Sequence, residues 1–119
     1  MLKSAGSIDV RTSSKETVVF LTGEIDHHNA AFLRMGIDKL IHEKHPARLV
    51  LDLSSIRFMD SSGLGLIMGR FALVRNLGGE LIIRNPSEAI MRICRLAGME
   101  RIVKIEKGGK KSDDKQQTR

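Results

Sequence analysis

Apolar and polar residues alternate in blocks along this chain, and the period of each block predicts its secondary structure. Residues 7–11 alternate polar and apolar positions, which is typical of a half-buried strand. Residues 17–21 form a β-branched and aromatic run, which predicts a second strand. The short polar connection between the two runs favours a β-hairpin. The chain is then expected to leave the sheet at Gly23.

Three amphipathic segments predict helices. The first is expected to begin near Asp26 or Asn29 and to end at Pro46, because apolar residues recur within it at the spacing of one buried helical face. The second is expected to follow Ser62 and to stop at the glycine pair 78–79. The third is expected to begin with Asn85 as its N-cap and a proline as its first residue.

The predicted order is ββαβαβαβ, an α/β fold whose mixed, mostly parallel sheet carries an N-terminal β-hairpin. The later strands are expected at residues 49–53, 81–83 and 101–105. Open sheets of this kind place their sites at the carboxyl ends of strands, so residues 24–26 and 60–62 are expected to lie close together. One domain is predicted over residues 1–106, and the polar stretch 107–119 is expected to be a disordered tail.

Composition and charge restrict the classes of function. The chain of 119 residues has a net charge of +6 but no Trp or Tyr, so it lacks the stacking platforms of a single-strand nucleic-acid binder. With one cysteine it forms no internal disulfide, and no apolar run reaches the length of a membrane span. We therefore expect no nucleic-acid partner, no membrane partner and a location in the cytoplasm.

Catalytic and metal-binding chemistry is not indicated. Ser61 lacks the glycine two residues before it that a hydrolase elbow requires, and all four histidines precede it. The pair Gly63 and Gly65 lacks the third glycine of a dinucleotide fingerprint, and His42 and His45 are three residues apart where the zinc motif has four. We therefore predict no catalytic residue, no metal and no cofactor, and hence no enzyme.

Two serines remain as candidates for regulatory chemistry at the start of the second helix. A phosphate on Ser61 would add about −1.5 to −2 charges where the helix dipole tolerates them. Either both serines only cap the helix, or Ser62 caps it and leaves Ser61 free to react. Gly65 and Gly69, four residues apart, predict a close approach of this helix to the sheet or to a partner. A receiver-like phosphoacceptor at Asp52 stays a weak alternative.

Two long motifs resemble those of STAS domains, specifically of bacterial anti-sigma factor antagonists. Residues 58–65 (Phe-Met-Asp-Ser-Ser-Gly-Leu-Gly) resemble the family signature, and residues 21–28 resemble its second conserved block. Asn85-Pro86 and residues 96–99 fit later landmarks, so the resemblance covers about residues 7–105. The paired histidines after Asp26 are most similar to the sporulation branch of the family, which acts on the sigma-F pathway.

The resemblance implies a mechanism. Members bind an anti-sigma factor that is also a serine kinase and thereby release the sigma factor. The kinase phosphorylates the serine after the motif aspartate, here Ser61, which switches binding off, and a protein serine phosphatase resets it. The implied docking residues are Asp26, Asp60, Ser62, Gly63 and Leu64. A STAS subunit of a larger stress-signalling assembly is the alternative.

One departure from the family concerns the end of the chain. Members usually close with an amphipathic helix after the last strand, whereas residues 106–119 have no apolar face. Any contact that relatives make through that helix is therefore not expected here.

Overall fold

The computed structural model describes residues 6–108, which form a five-stranded sheet and three α-helices. The predicted succession of strands and helices is confirmed. The elements are β1 (Ser7–Thr12), β2 (Thr17–Ile25), α1 (Ala30–Lys44), β3 (Arg48–Met59), α2 (Ser61–Asn76), β4 (Glu80–Arg84), α3 (Glu88–Leu96), a 3₁₀ turn (Met99–Arg101) and β5 (Lys104–Glu106).

The strands lie in the order β1-β2-β3-β4-β5, with β1 antiparallel to β2 and every later pair parallel. The predicted hairpin and the predicted mixed sheet are therefore both confirmed. Each crossover moves one strand further in the same direction, and crossovers of one hand then place all three helices on one face of the sheet.

That helix-covered face contains the main core. Alternate strand residues point into it, as the two-residue period of a strand requires. They meet the apolar stripe of each helix in one buried cluster, which includes Leu21, Ile37, Leu51, Ile67 and Ile83. The burial of these side chains fixes the register of each strand, because a slip of one residue would turn a strand's apolar set towards solvent.

Strands β2 and β3 are longer than the apolar runs predicted. β2 continues through Gly23 to Ile25, and β3 continues past Leu53 to Met59. The extensions pair with each other across two register shifts, and they bury Ile25 and Met59 beneath the helices. The expectation that the chain leaves the sheet at Gly23 is therefore wrong.

Two later boundaries also differ from the prediction. The N-cap of α3 is Ser87, whose hydroxyl accepts a hydrogen bond from the backbone N–H of Ile90 at 3.2 Å, and not Asn85. Asn85 instead adopts a left-handed backbone conformation and binds the backbone N–H of Gly108. The start of the predicted last strand is a 3₁₀ turn, so β5 begins only at Lys104. The predicted tail, apart from residues 107 and 108, lies outside the described residues.

The other face of the sheet carries a smaller apolar cluster of Val18, Val50 and Ile82. Four charged residues on the same face of the sheet form an ion-pair cluster beside it: Glu16, Arg48, Arg84 and Glu106. Arg84 lies 3.0 Å from Glu16 and 2.7 Å from Glu106, and Arg48 lies 3.1 Å from Glu16. Because β3 lies between Arg84 and Glu16, the apolar stem of Arg84 crosses the small cluster.

The ion-pair cluster predicts a pH-dependent contribution to stability. The hydrogen bond from Arg84 lowers the pKa of Glu16 against the opposing effect of burial, with further help from Arg48. A lowered carboxyl pKa stabilises the fold above about pH 5, and the effect is lost as the pH falls below roughly 4. Glu16→Gln should therefore cost about 1 kcal/mol of unfolding free energy at pH 7 and nothing near pH 3, as measured by urea denaturation.

The matched control for this prediction is Glu80→Gln. Glu80 is 55% exposed and touches the cluster only through Arg48 at 3.5 Å. Its replacement should change the unfolding free energy by less than about 0.5 kcal/mol at either pH. Equal effects of the two substitutions at pH 7 would contradict the role given to Glu16.

Candidate functional site

The candidate site lies where the ends of β2 and β3 stand side by side. Ile25 and Met59 are paired in the ladder, and the backbone N–H of Asp60 donates to the carbonyl of Ile25 at 3.1 Å. The loop after β2 and the start of α2 are thereby held against each other. The expected proximity of residues 24–26 and 60–62 is confirmed.

Asp60, and not a serine, caps α2. Its backbone is extended, and its Oδ1 accepts a hydrogen bond from the N–H of Ser62 at 2.8 Å. Partial desolvation opposes ionisation of this carboxyl. The hydrogen bonds from Ser62 and a weaker contribution from His27 outweigh that effect, so the pKa of Asp60 lies below its ordinary value. The expectation that Ser62 is the cap is wrong, but Ser61 is left exposed as the first residue of the helix.

The loop after β2 is braced by its own polar side chains. Asp26 Oδ1 accepts from the backbone N–H groups of His28 and Asn29 at 2.9 and 3.1 Å. Asn29, which is 4% exposed, donates from Nδ2 to the carbonyl of Glu24 at 2.7 Å and accepts from the N–H of Asp26 at 3.0 Å. The sequence indicated Asn29 only as a helix cap, whereas the structure makes it the brace of the loop.

The two histidines form the exposed rim of the site. The rings of His27 and His28 lie against each other, tilted by 37° with their centroids 4.0 Å apart, and His27 Nδ1 lies 3.9 Å from Asp60 Oδ2. Phe58 is half exposed at the end of β3. The rim therefore presents flat rings beside the carboxylates of Asp26 and Asp60.

The three glycines of α2 have different surroundings. Gly63 is buried, and a Cβ there would meet Met59 Cγ at 2.0 Å and Met59 Sδ at 2.5 Å. A Cβ at Gly65 or Gly69 would meet nothing within 4 Å. Of the two alternatives for Gly65 and Gly69, a close approach to the sheet is therefore wrong and an approach to a partner stays a prediction, and the glycine that packs closely against the sheet is Gly63. Leu64 is half-buried against the main core.

A groove of about 380 Å³ runs from this rim between α1 and α2. His27 and Ser62 lie at the end nearest the rim, and the remaining lining comes from Ala30, Ala31, Arg34, Gly65, Leu66 and Arg70. Arg70 Nε lies 2.7 Å from Asp38 Oδ1, an ion pair whose angles do not meet those of a hydrogen bond. We call this the α1–α2 groove.

Asp52, the candidate of the receiver-like alternative, lies elsewhere. It is 5% exposed inside β3, where Oδ1 accepts from the N–H and the hydroxyl of Ser54 at 2.9 and 2.6 Å. A receiver acceptor lies at the end of its strand and open to solvent, so the position of Asp52 argues against that alternative.

Neither a metal-binding cluster nor a membrane-spanning helix occurs in the described part of the chain. No group of three or more His, Cys, Asp or Glu side chains within residues 6–108 is arranged to hold a metal ion. No helix in that range has the length and apolar character needed to cross a membrane.

Comparison with known proteins gives a consistent result. A family model for the STAS domain matches residues 7–110. An anti-sigma F factor antagonist of Paenibacillus polymyxa is 38% identical over 88 residues, which are 74% of this chain and 75% of that protein. The solved structure of the anti-sigma factor antagonist SpoIIAA in its unphosphorylated form is similar with a TM-score of 0.75 at 25% identity, over 87% of this chain and 90% of that one.

A second solved structure is that of the Bacillus cell fate determinant SpoIIAA in its phosphorylated form. It is similar with a TM-score of 0.69 at 25% identity, over 87% of this chain and 93% of that one. The same fold is thus found in a relative both with and without a phosphate.

The surroundings of the glycines in α2 predict opposite effects of two alanine substitutions. Gly63→Ala forces the buried Met59 to move and should lower the unfolding free energy by about 1–3 kcal/mol. Gly65→Ala places a methyl group in open space and replaces glycine by a better helix former. This substitution should therefore raise the unfolding free energy by up to about 1 kcal/mol. Thermal and urea denaturation of both variants measure this, and equal signs would contradict the packing described.

Proposed function

Because the chain belongs to the STAS-domain family, we propose that it is an anti-sigma factor antagonist whose binding is switched off by phosphorylation of Ser61. The unphosphorylated protein binds an anti-sigma factor that is also a serine kinase, and the sigma factor is released. A protein serine phosphatase restores the binding form. The protein acts as ligand and substrate, without a cofactor or catalysis of its own, and the exchange takes place in the cytoplasm.

The observation that carries this proposal is the position of Ser61. It is exposed as the first residue of α2, while the capping of the helix is performed by Asp60. A modification of its hydroxyl therefore breaks no hydrogen bond that the described structure uses for folding. The positive end of the helix dipole also tolerates the added negative charge.

A phosphate on Ser61 changes the binding of the partner and not the fold. The rim already carries the carboxylates of Asp26 and Asp60, and a phosphate adds about −1.5 to −2 charges beside them. We propose that the docking surface consists of this rim with Ser62, Gly63 and Leu64. Gly63 contributes through its backbone and its packing, because it is buried.

Phosphorylation by the cognate anti-sigma kinase with ATP tests the site. The wild type should take up one phosphate, Ser61→Ala none, and Ser62→Ala one, as measured by intact mass. Ser62→Ala is the matched control because it removes the neighbouring hydroxyl and leaves the capping carboxylate of Asp60 in place. Uptake by Ser61→Ala at the wild-type rate would refute the assignment of the site.

Binding of the same partner tests the switch. Ser61→Asp adds one negative charge at the proposed acceptor and should weaken the complex at least about tenfold in isothermal titration calorimetry, a change of roughly 1.4 kcal/mol. Ser61→Asn, of similar size and without charge, should bind much more tightly than Ser61→Asp. Equal affinities of Ser61→Asp and the wild type would exclude a charge switch.

A further inference from the structure

We infer that the α1–α2 groove is a second part of the docking surface and receives an acidic side chain of the anti-sigma factor. This inference rests on the proposed function, because the same partner is taken to meet the rim and the groove together. The occupant is a carboxylate of the partner that reaches past Ser61 into the groove.

The charges of the groove support a carboxylate. The ionised side chains that line it are Arg34 and Arg70, with His27 at the end near the rim. Arg70 is 91% buried, and its Nε lies 2.7 Å from Asp38 Oδ1. Burial lowers the pKa of Arg70, Asp38 opposes that effect, and the charge of Arg34 adds to it. Arg34 and Arg70 thus bring two positive charges to the groove, and the carboxylate of Asp38 is paired with Arg70.

The shape of the groove supports an inserted side chain. Gly65 lies on the groove with no side chain of its own, and a Cβ there has open space on all sides. Ala30 and Ala31 provide the facing wall of α1 with short side chains. A glycine within a helix costs roughly 1 kcal/mol against alanine, and the packing of the described residues does not require this one. The need to keep the groove open for a side chain of the partner explains why glycine occupies this position.

Continuity with the rim identifies the occupant as the partner of the proposed function. Ser62 lines the groove, and Ser61 is its neighbour in the chain. The combined surface is acidic at Asp26 and Asp60 and basic at Arg34 and Arg70. A surface that carries charges of both signs fixes the orientation of a protein partner. A nucleic acid would meet the two carboxylates, and a second copy of this chain would bring its own net charge of +6.

The experiment compares two pairs of variants for binding to the cognate anti-sigma factor by calorimetry at low and high salt. Arg34→Glu should weaken the complex at least tenfold and reduce its dependence on salt. Lys39→Glu, with the same change of charge on the exposed side of α1, should weaken it less than threefold. Gly65→Gln should fill the groove and weaken the complex at least tenfold. Gly69→Gln, one turn further along α2 and outside the groove, should leave it unchanged.

Rescue tests the chemistry of the occupant. One acid-to-lysine substitution in the partner should restore at least tenfold of the affinity that Arg34→Glu loses, and failure of every exposed acid of the partner to do so would overturn the proposal. Arg34→Glu and Gly65→Gln that bind like their controls would also overturn it while leaving the proposed function intact. If instead they change only the oligomeric state of the isolated protein, the groove holds a second copy and the proposal is wrong. A wild type that binds no anti-sigma factor would refute the proposed function and this inference together.

Discussion

The candidate site depends on the parallel pairing of β2 and β3 beyond the body of the sheet. β4 pairs with β3 only as far as Asp52, whereas β2 and β3 continue together to Ile25 and Met59. The site therefore stands on a two-stranded extension that is anchored to the helices by buried apolar side chains. A loop on such an extension has solvent on several sides, so a large partner can reach it without displacement of the sheet.

The number, order and pairing of the elements could be predicted because each depends on local periodicity and on the rules for crossovers. The ends of the long strands could not. Ser54, Ser55 and Arg57 are exposed and break the apolar alternation of β3, yet the backbone continues to pair with β2 across two register shifts. Backbone hydrogen bonds between strands do not depend on side-chain polarity, so the apolar pattern does not show where the pairing ends. The N-cap at Asp60 is not predictable for the same reason, since the end of β3 decides where α2 begins.

The candidate site was predictable where its residues are adjacent in the chain. Ser61 with Asp60, and Asp26 in the second motif, follow directly from the order of the residues. Arg70 is not predictable, because its partner Asp38 lies far along the chain and its burial arises only from packing. Asn29 is predictable as a helix cap but not as the brace of the loop, because its hydrogen bonds to Glu24 and Asp26 depend on how that loop folds. The glycines show the same limit, since the sequence reveals their spacing but not which of them faces the core.

The ion-pair cluster joins parts of the sheet that share no backbone pairing. Glu16 stands at the turn of the first hairpin, and Arg84 binds both it and Glu106 of the three-residue edge strand β5. A short edge strand is ordinarily the first to fray, and its amide hydrogens exchange early with solvent. Here Arg84 and Arg48 each bind both Glu106 and Glu16, so the fraying of β5 removes one of two carboxylates from both arginines and leaves Glu16 as their shared partner. Fraying of β5 therefore changes the electrostatic surroundings of the hairpin turn through side chains alone, without any backbone pairing between the two.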